Sequence, residues 1–256
     1  MKNLKATLIA LTGSLFLTAC GDDRFPDYNY KMTIHVGDKA FSSVRAIKQE
    51  ESASIIDSSG RSVKTKLQGE AVIINLSNGR TVYALLSKPD NADYGKYIPG
   101  AALGPYINRP KSDKPLAEQP VDPFKYLDNA AGASQQMVKV EGAKELPRTL
   151  PARQGRPPFQ AWPMFVTFDN PANPRTVREV SPGSIGVKRI TIEITNEDVT
   201  TGVETRLAWL PQYYEKQFSG ARFQKLGDYE ANGLSAVMSS GAFSAGSGLS
   251  PFERDD

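Results

Sequence analysis

Alternation of apolar and polar residues runs through much of this chain, and its period of two predicts strands. Tyr30 to Val36 places Met32, Ile34 and Val36 on one face and Lys31, Thr33 and His35 on the other. Gly37-Asp38 marks a turn, and Phe41 to Ile47 reads as a second strand with Val44 and Ala46 sharing a face. The clearest element is a hairpin of Val63 to Leu76 and Thr81 to Leu86, joined by Ser77-Asn78-Gly79-Arg80. Asn-Gly suits a two-residue type I′ turn. That register pairs Leu76 with Thr81, Ile74 with Tyr83 and Val72 with Leu85, all on one largely apolar face. Further on, Trp162 to Asp169 puts Met164, Val166 and Phe168 together, and Lys188 to Thr195 turns Ile190, Ile192 and Ile194 inward. Thr201-Gly202 is a turn, and Val203 to Trp209 continues as a strand.

Between these strands the pattern lapses. Prolines at 89, 99, 105, 110, 115, 120 and 123 make 88–123 a long loop or linker, because each removes a backbone donor and biases its predecessor towards extended geometry. Tyr94, Tyr97, Ile98, Leu103, Tyr106 and Ile107 suggest that its first half packs on the domain. Asp122-Pro123 starts a short helix with Phe124 and Leu127 on one face, closed by Gly132. Arg148 to Pro158 reads as an exposed loop, and Pro211 to Phe218 as a short helix closed by Gly220. Gly233 to Ser250 is Gly, Ser and Ala, too poor in apolar bulk to order itself. The expected fold is mainly β, an antiparallel sandwich or open barrel with two or three short helices and long Pro-rich loops. Nothing alternates strand with helix as a doubly wound sheet requires.

The first residues have a different logic. Lys2 and Lys5 precede an apolar run from Ala6 to Phe16, which has the length of a signal h-region and is too short to span a bilayer. Leu17-Thr18-Ala19-Cys20 follows, with the only cysteine in the chain. These residues resemble the lipobox of bacterial lipoprotein precursors. The resemblance implies cleavage between Ala19 and Cys20, a diacylglyceryl group on the Cys20 sulfur and acylation of the new amino group. One acyl chain binds a membrane marginally, at about 0.8 kcal/mol per buried methylene, and two or more hold it stably. An Asp after the Cys favours inner-membrane retention in enterobacterial lipoproteins, so Gly21 leans towards the outer membrane. The expected organisation is a signal peptide at 1–19, a lipidated tether at 20–29, one β-rich domain at 30–226 and a disordered tail at 227–256.

Composition narrows the function. Of 256 residues, 237 remain after the leader, enough for one large domain or two small ones. Without Lys2 and Lys5 there are 29 basic residues against 28 acidic. The near-neutral balance gives no basic stripe and points away from nucleic acid. A chain with Cys20 acylated forms no disulfide, so stability must come from a core.

Several stretches of the body carry a resemblance of their own. They are Gly69-Glu70-Ala71-Val72-Ile73 with Gly79 to Leu86, Val166-Thr167-Phe168-Asp169, Thr176 to Val180, Ile190 to Thr195, and Val199 to Leu210. Together they are similar to an uncharacterised group of proteobacterial secreted proteins and lipoproteins. The resemblance implies one continuous domain and carries no activity or catalytic residue with it.

Candidate chemistry is thin. A Ser-His-Asp triad needs a histidine, and the only one, His35, stands mid-strand on a polar face. No Ser-x-x-Lys motif occurs, and Ala242-Phe243-Ser244-Ala245-Gly246 misses a nucleophile elbow by its first Gly. Transition metals want several His and Cys ligands. Asp169-Asn170 and Glu197-Asp198 could offer oxygens to calcium if their turns met. Glu70 and Glu193 lie in strands with no spacing that marks an acid–base pair. Trp209 and Tyr213-Tyr214 could form an aromatic contact patch. No cofactor, metal site or catalytic residue is expected. The reading is a non-catalytic interaction or structural module anchored in the envelope through Cys20, facing the periplasm, with an envelope protein as possible partner. The alternatives are a small-ligand or glycan-binding lipoprotein and, behind it, a carboxylate-dependent envelope hydrolase.

Overall fold

A computed structural model describes residues 25–53, 61–88, 91, 93–107, 130–152, 157–211 and 241–246. Ala19, Cys20 and Tyr213-Tyr214, the helix expected from Pro211 onward and the polar half of the Pro-rich loop lie outside them, apart from Pro211 itself.

The fold is mainly β, and its sheets are antiparallel and do not close into a barrel. The large sheet contains β1 (Tyr28–Val36), β2 (Lys39–Ala53), β3 (Arg61–Glu70), β6 (Lys144–Glu145), β11 (Val187–Thr195) and β12 (Ser244–Ala245), in the order β12-β3-β2-β1-β11-β6. The smaller sheet contains β4 (Val72–Asn75), β5 (Thr81–Ala84), β9 (Phe165–Phe168) and β10 (Val177–Glu179), in the order β10-β9-β5-β4. A two-stranded pair, β7 (Thr149–Leu150) with β8 (Phe159–Gln160), stands apart. Two helices, α1 (Tyr94–Leu103) and α2 (Ala130–Met137), complete the described elements besides short 3-10 turns.

The alternation on β1 and β11 holds. Tyr30, Met32, Ile34, Ile190 and Ile192 are buried in one cluster with Val72, Ile74, Val82 and Ala84 of the smaller sheet and Tyr94, Ile98 and Leu103 of α1. The other face of the smaller sheet is covered too: Tyr83, Leu85, Val166 and Phe168 pack with Val203, Leu207, Leu210 and Phe243. The smaller sheet is therefore apolar on both sides. Its central strands show it: all four residues of β9 and the last three of β5 are buried.

The hairpin register differs from expectation by one residue. Asn75 pairs with Thr81, Ile74 with Val82, Ile73 with Tyr83 and Val72 with Ala84. The loop is three residues, not two. Gly79 N donates to Leu76 O (3.1 Å), Leu76 N donates to Arg80 O (2.9 Å), and Gly79 sits at φ +81°. This is a tight turn followed by a left-handed glycine, the usual three-residue hairpin loop. A slip of one residue exchanges the faces of a strand, so Tyr83 and Leu85 face the second core, away from Ile74 and Val72.

Three other expectations about the elements change. The strand from Val63 breaks at Ala71 into β3 and β4. The stretch from Val203 is a 3-10 turn at Val203–Thr205, and Leu207 N donates to Val203 O (3.0 Å). Val203, Leu207 and Leu210 bury together at helical spacing, which overrides the strand propensity. The helix start expected at Asp122-Pro123, with Phe124 and Leu127, lies outside the described residues, and Gly132 does not close a helix, because α2 runs through it to Met137.

Most of the first half of the Pro-rich loop is helix α1, with Pro99 inside it. Proline at 99 has no N–H to give to Gly95 O, the acceptor four residues back. The Tyr30 hydroxyl supplies that bond from β1, donating to Gly95 O at 2.8 Å. The packing expected of Tyr94, Ile98, Leu103 and Ile107 is present, whereas Tyr97 is 53% exposed.

The tail also departs from expectation. Ala242, Phe243 and Ser244 are buried, Phe243 at 2% exposure, and β12 pairs with β3 through Ser244 opposite Glu70 and Ala245 opposite Gly69. Phe243 O and Ala242 O accept the amides of Ala71 and Leu86 (2.9 and 2.8 Å). One bulky aromatic among small residues suffices, because the site it fills already exists. The rest of 227–256 lies outside the described residues.

Two stability effects follow. Tyr30→Phe leaves the buried Gly95 carbonyl without a donor, and it should cost about 1–3 kcal/mol in urea unfolding. The cost should shrink in a Pro99→Ala background, where the helix regains its own donor; equal costs in both backgrounds would count against this account. Phe243→Ala should cost roughly 3–5 kcal/mol, whereas a solvated tail would show no change.

Candidate functional site

The chain turns from the large sheet to the smaller one at Gly69-Glu70-Ala71, and the two charged side chains buried among the described residues, Arg45 and Glu70, meet at that corner with the buried Ser43 and Ser244. Gly69 has φ +128°, and a Cβ there would stand 3.0 Å from Arg45 Cγ and 3.1 Å from Val44 O. Only glycine allows β3 to approach β2 this closely while turning away.

Arg45 is wholly enclosed, at 0% exposure. Its position follows from register: it pairs with Tyr30, as Ser43 pairs with Met32 and Ile47 with Tyr28, so these side chains share the inward face. Val44 and Ala46 share a face as expected, but it is the face of Lys31 and Asn29. The Arg45 Nε–H donates to Glu70 O (3.1 Å), which also accepts the Ser43 hydroxyl (2.8 Å). Nη1 and Nη2 make no hydrogen bond of ordinary geometry. Tyr30 and Tyr94 lie beside the guanidinium. Burial pushes both hydroxyls up, the Arg45 charge opposes it at each, and a hydrogen-bonding interaction with Arg45 opposes it further at Tyr30. The Tyr94 hydroxyl donates to Ala161 O at 2.7 Å.

Glu70 is buried at 1% exposure and holds the segment that covers the second core. Its Oε1 accepts Gly202 N–H and its Oε2 accepts Val203 N–H, both at 2.8 Å. Thr200 fastens the same segment to β2, since Thr200 N donates to Val44 O (3.0 Å) and Val44 N donates to Thr200 Oγ1 (2.9 Å). Glu204 comes alongside with a buried Oε1 that lacks a partner. Desolvation raises the Glu70 pKa to about 7; the two amide bonds oppose the rise, and the Glu204 carboxyl adds to it. The Glu70 carboxyl therefore titrates near neutral pH, mainly because it is buried.

This arrangement is legible only in part from sequence. Glu70 stands in a strand, as expected, but its partner Glu204 lies 134 residues away in the chain. Nothing in the sequence marks Arg45, because a charge inside an alternating strand reads as solvent-facing. The other candidates have ordinary surroundings. His35 lies opposite Arg189, and desolvation and then that charge lower its pKa. Asp169 pairs with Arg178, Glu197 with Lys31, and the Asn170 side chain accepts from Ala172 N–H (3.0 Å). Among the described residues no group of three or more His, Cys, Asp or Glu converges as a metal site. Trp209 belongs to an aromatic cluster with Phe168 and Phe243, at ring separations of 5.8 and 5.9 Å, and its indole donates to Pro171 O (3.0 Å). Ser244 is enclosed in β12.

A second feature is a groove of about 500 Å³ between the end of α1, the end of α2 and β6. Tyr106, Gln136, Lys139, Glu141 and Lys144 are among its lining residues, and the Lys144 ammonium lies 4.9 Å from the Tyr106 ring centre.

The Glu70 carboxyl sets a pH dependence. A folded pKa of about 7 exceeds the ordinary carboxyl value of 4.5, so the stabilisation is full below about pH 4.5 and is lost as pH rises through 7. The lowered pKa of His35 acts with the opposite sign: its contribution is present above its ordinary 6.5 and fades below it. The urea midpoint should therefore fall between pH 6.5 and pH 8.5, and Glu204→Gln should reduce that fall. An identical fall in the variant would dismiss Glu204 as a contributor to it. Comparison with known proteins adds no family to this description: no family model, no curated protein and no solved structure matches the chain.

Proposed function

We propose that this protein is a lipid-anchored envelope protein whose β-domain acts as a non-catalytic interaction or structural module facing the periplasm. The observation that carries the reading is the short stretch between the lipobox cysteine and the fold. Cys20 ends Leu17-Thr18-Ala19-Cys20, and β1 begins eight residues later at Tyr28. Eight residues reach at most roughly 30 Å when fully extended, so acylation of Cys20 would hold the sheets close against the headgroups. The body's similarity to secreted proteins and lipoproteins of proteobacteria agrees with that address, and Gly21 leans towards the outer membrane. An envelope protein is the partner proposed from that address.

The groove beside Tyr106 supports a second reading, a small-ligand or glycan-binding lipoprotein. Its volume falls in the range of ligand sites, about 300–1,000 Å³, and it offers an aromatic ring with amide, carboxylate and ammonium groups. The Glu70–Glu204 pair is the kind of convergence a carboxylate hydrolase would use. Glu70 uses both oxygens on main-chain amides and is enclosed, which favours a holding role.

Replacing Cys20 tests the anchor. Cys20→Ala should abolish incorporation of labelled palmitate and leave an unprocessed precursor, while the domain keeps its protease resistance. Normal processing and palmitate labelling of the variant would refute the lipoprotein reading. Crosslinking of wild type in cells should then recover one envelope protein reproducibly; saturable binding of a sugar lost in Lys144→Ala would favour the groove instead.

A further inference from the structure

Arg45 and Glu70 are the two charged side chains buried among the described residues, and only Glu70 has its charge answered. The Arg45 Nε–H reaches Glu70 O, while Nη1 and Nη2, with four N–H donors between them, make no hydrogen bond of ordinary geometry, and the Tyr30 hydroxyl with which the guanidinium interacts is neutral and leaves its charge unanswered. The groups around the fork do not compensate its charge. The Tyr30 and Tyr94 hydroxyls are directed as donors to Gly95 O and Ala161 O. Burial keeps both protonated, so neither stands in as a phenolate. Tyr94 and Gly95 form the first turn of α1, whose dipole brings its positive end there. The Glu70 carboxylate is directed at Gly202 and Val203 instead. A buried guanidinium left unpaired is strongly unfavourable, and a planar fork of donors is matched best by an anion.

The geometry points to Arg45 as the receptor of a small monovalent anion, a halide or a simple carboxylate such as formate, enclosed between β2 and the first turn of α1. The charge of the site is single, so a monovalent ion neutralises it. The guanidinium is wholly enclosed, so the ion must be small and be taken up as α1 closes over the sheet. The bound anion would then tie the helix to the strands through Arg45, at the corner that also holds the covering segment. This inference is independent of the anchor and of the groove.

Thermal unfolding of the full chain in sodium gluconate, whose anion is too large to enter, gives the reference. Replacing gluconate by bromide or formate at constant ionic strength and pH should raise Tm in a saturable way, by roughly 5–10 °C at a hundred times the dissociation constant. Arg45→Gln should lose the response. A response to bromide alone assigns a halide, and one to formate alone a carboxylate. Crystals of wild type grown in bromide should show an anomalous peak within hydrogen-bonding distance of Nη1 or Nη2, which decides the matter even if the variant fails to fold. No difference between anions, an undiminished response in Arg45→Gln, or water alone on the guanidinium would each overturn the inference.

Discussion

The bend at Gly69-Glu70-Ala71 is the constraint on which the rest of the structure depends. A strand that continued straight would extend the large sheet and leave the smaller one without β4. Gly69 permits the turn because nothing but a hydrogen fits between its Cα and Arg45. Once the chain turns, the main-chain groups at the corner must find partners outside the ladder. Glu70 O accepts from Ser43 and Arg45, Ala71 N donates to Phe243 O, and the Glu70 carboxylate takes the amides of Gly202 and Val203. Three segments distant in sequence are thus committed to one point.

The commitments explain the layering. The smaller sheet lies over the large one, and the stretch from Val203 to Leu210 and Phe243 cover its far side. Glu70 holds the first cover and β12 holds the second. Each cover buries aromatic surface: Tyr83, Phe168 and Phe243 stack edge to face or tilted at 5.7–5.9 Å. Polar contacts at the corner therefore set where apolar burial occurs, while the burial supplies most of the stabilisation.

A similar exchange operates at α1. Proline inside a helix leaves a carbonyl orphaned, and here β1 answers it with Tyr30. The helix is fixed to the sheet at the place where its own hydrogen bonding fails. That contact also brings Gly95 and Tyr94 over Arg45, so the helix defect and the buried charge belong to one arrangement. The proposed anchor leaves this interior untouched, since the fold begins at Tyr28.

Sequence by itself determined the faces of β1 and β11, the antiparallel character of the sheets and most of the turn positions, because a period of two and turn chemistry are local. The strand around Phe165–Phe168 was legible for the same reason. Tertiary structure decided what local pattern could not. Whether Tyr83 faces Ile74 depends on one residue of loop length. Whether the stretch around Pro99 is loop or helix depends on a hydroxyl contributed 65 residues away. Phe243 orders its segment only because two sheets leave a site for one ring. Arg45 is buried only because its register with Tyr30 points it inward, and a lone charge in an alternating strand carries no mark of that. Glu70 becomes a shifted acid because the corner desolvates it, and Glu204, 134 residues on, adds to the shift. In each case the deciding energy is a long-range contact, and the local sequence is compatible with either outcome.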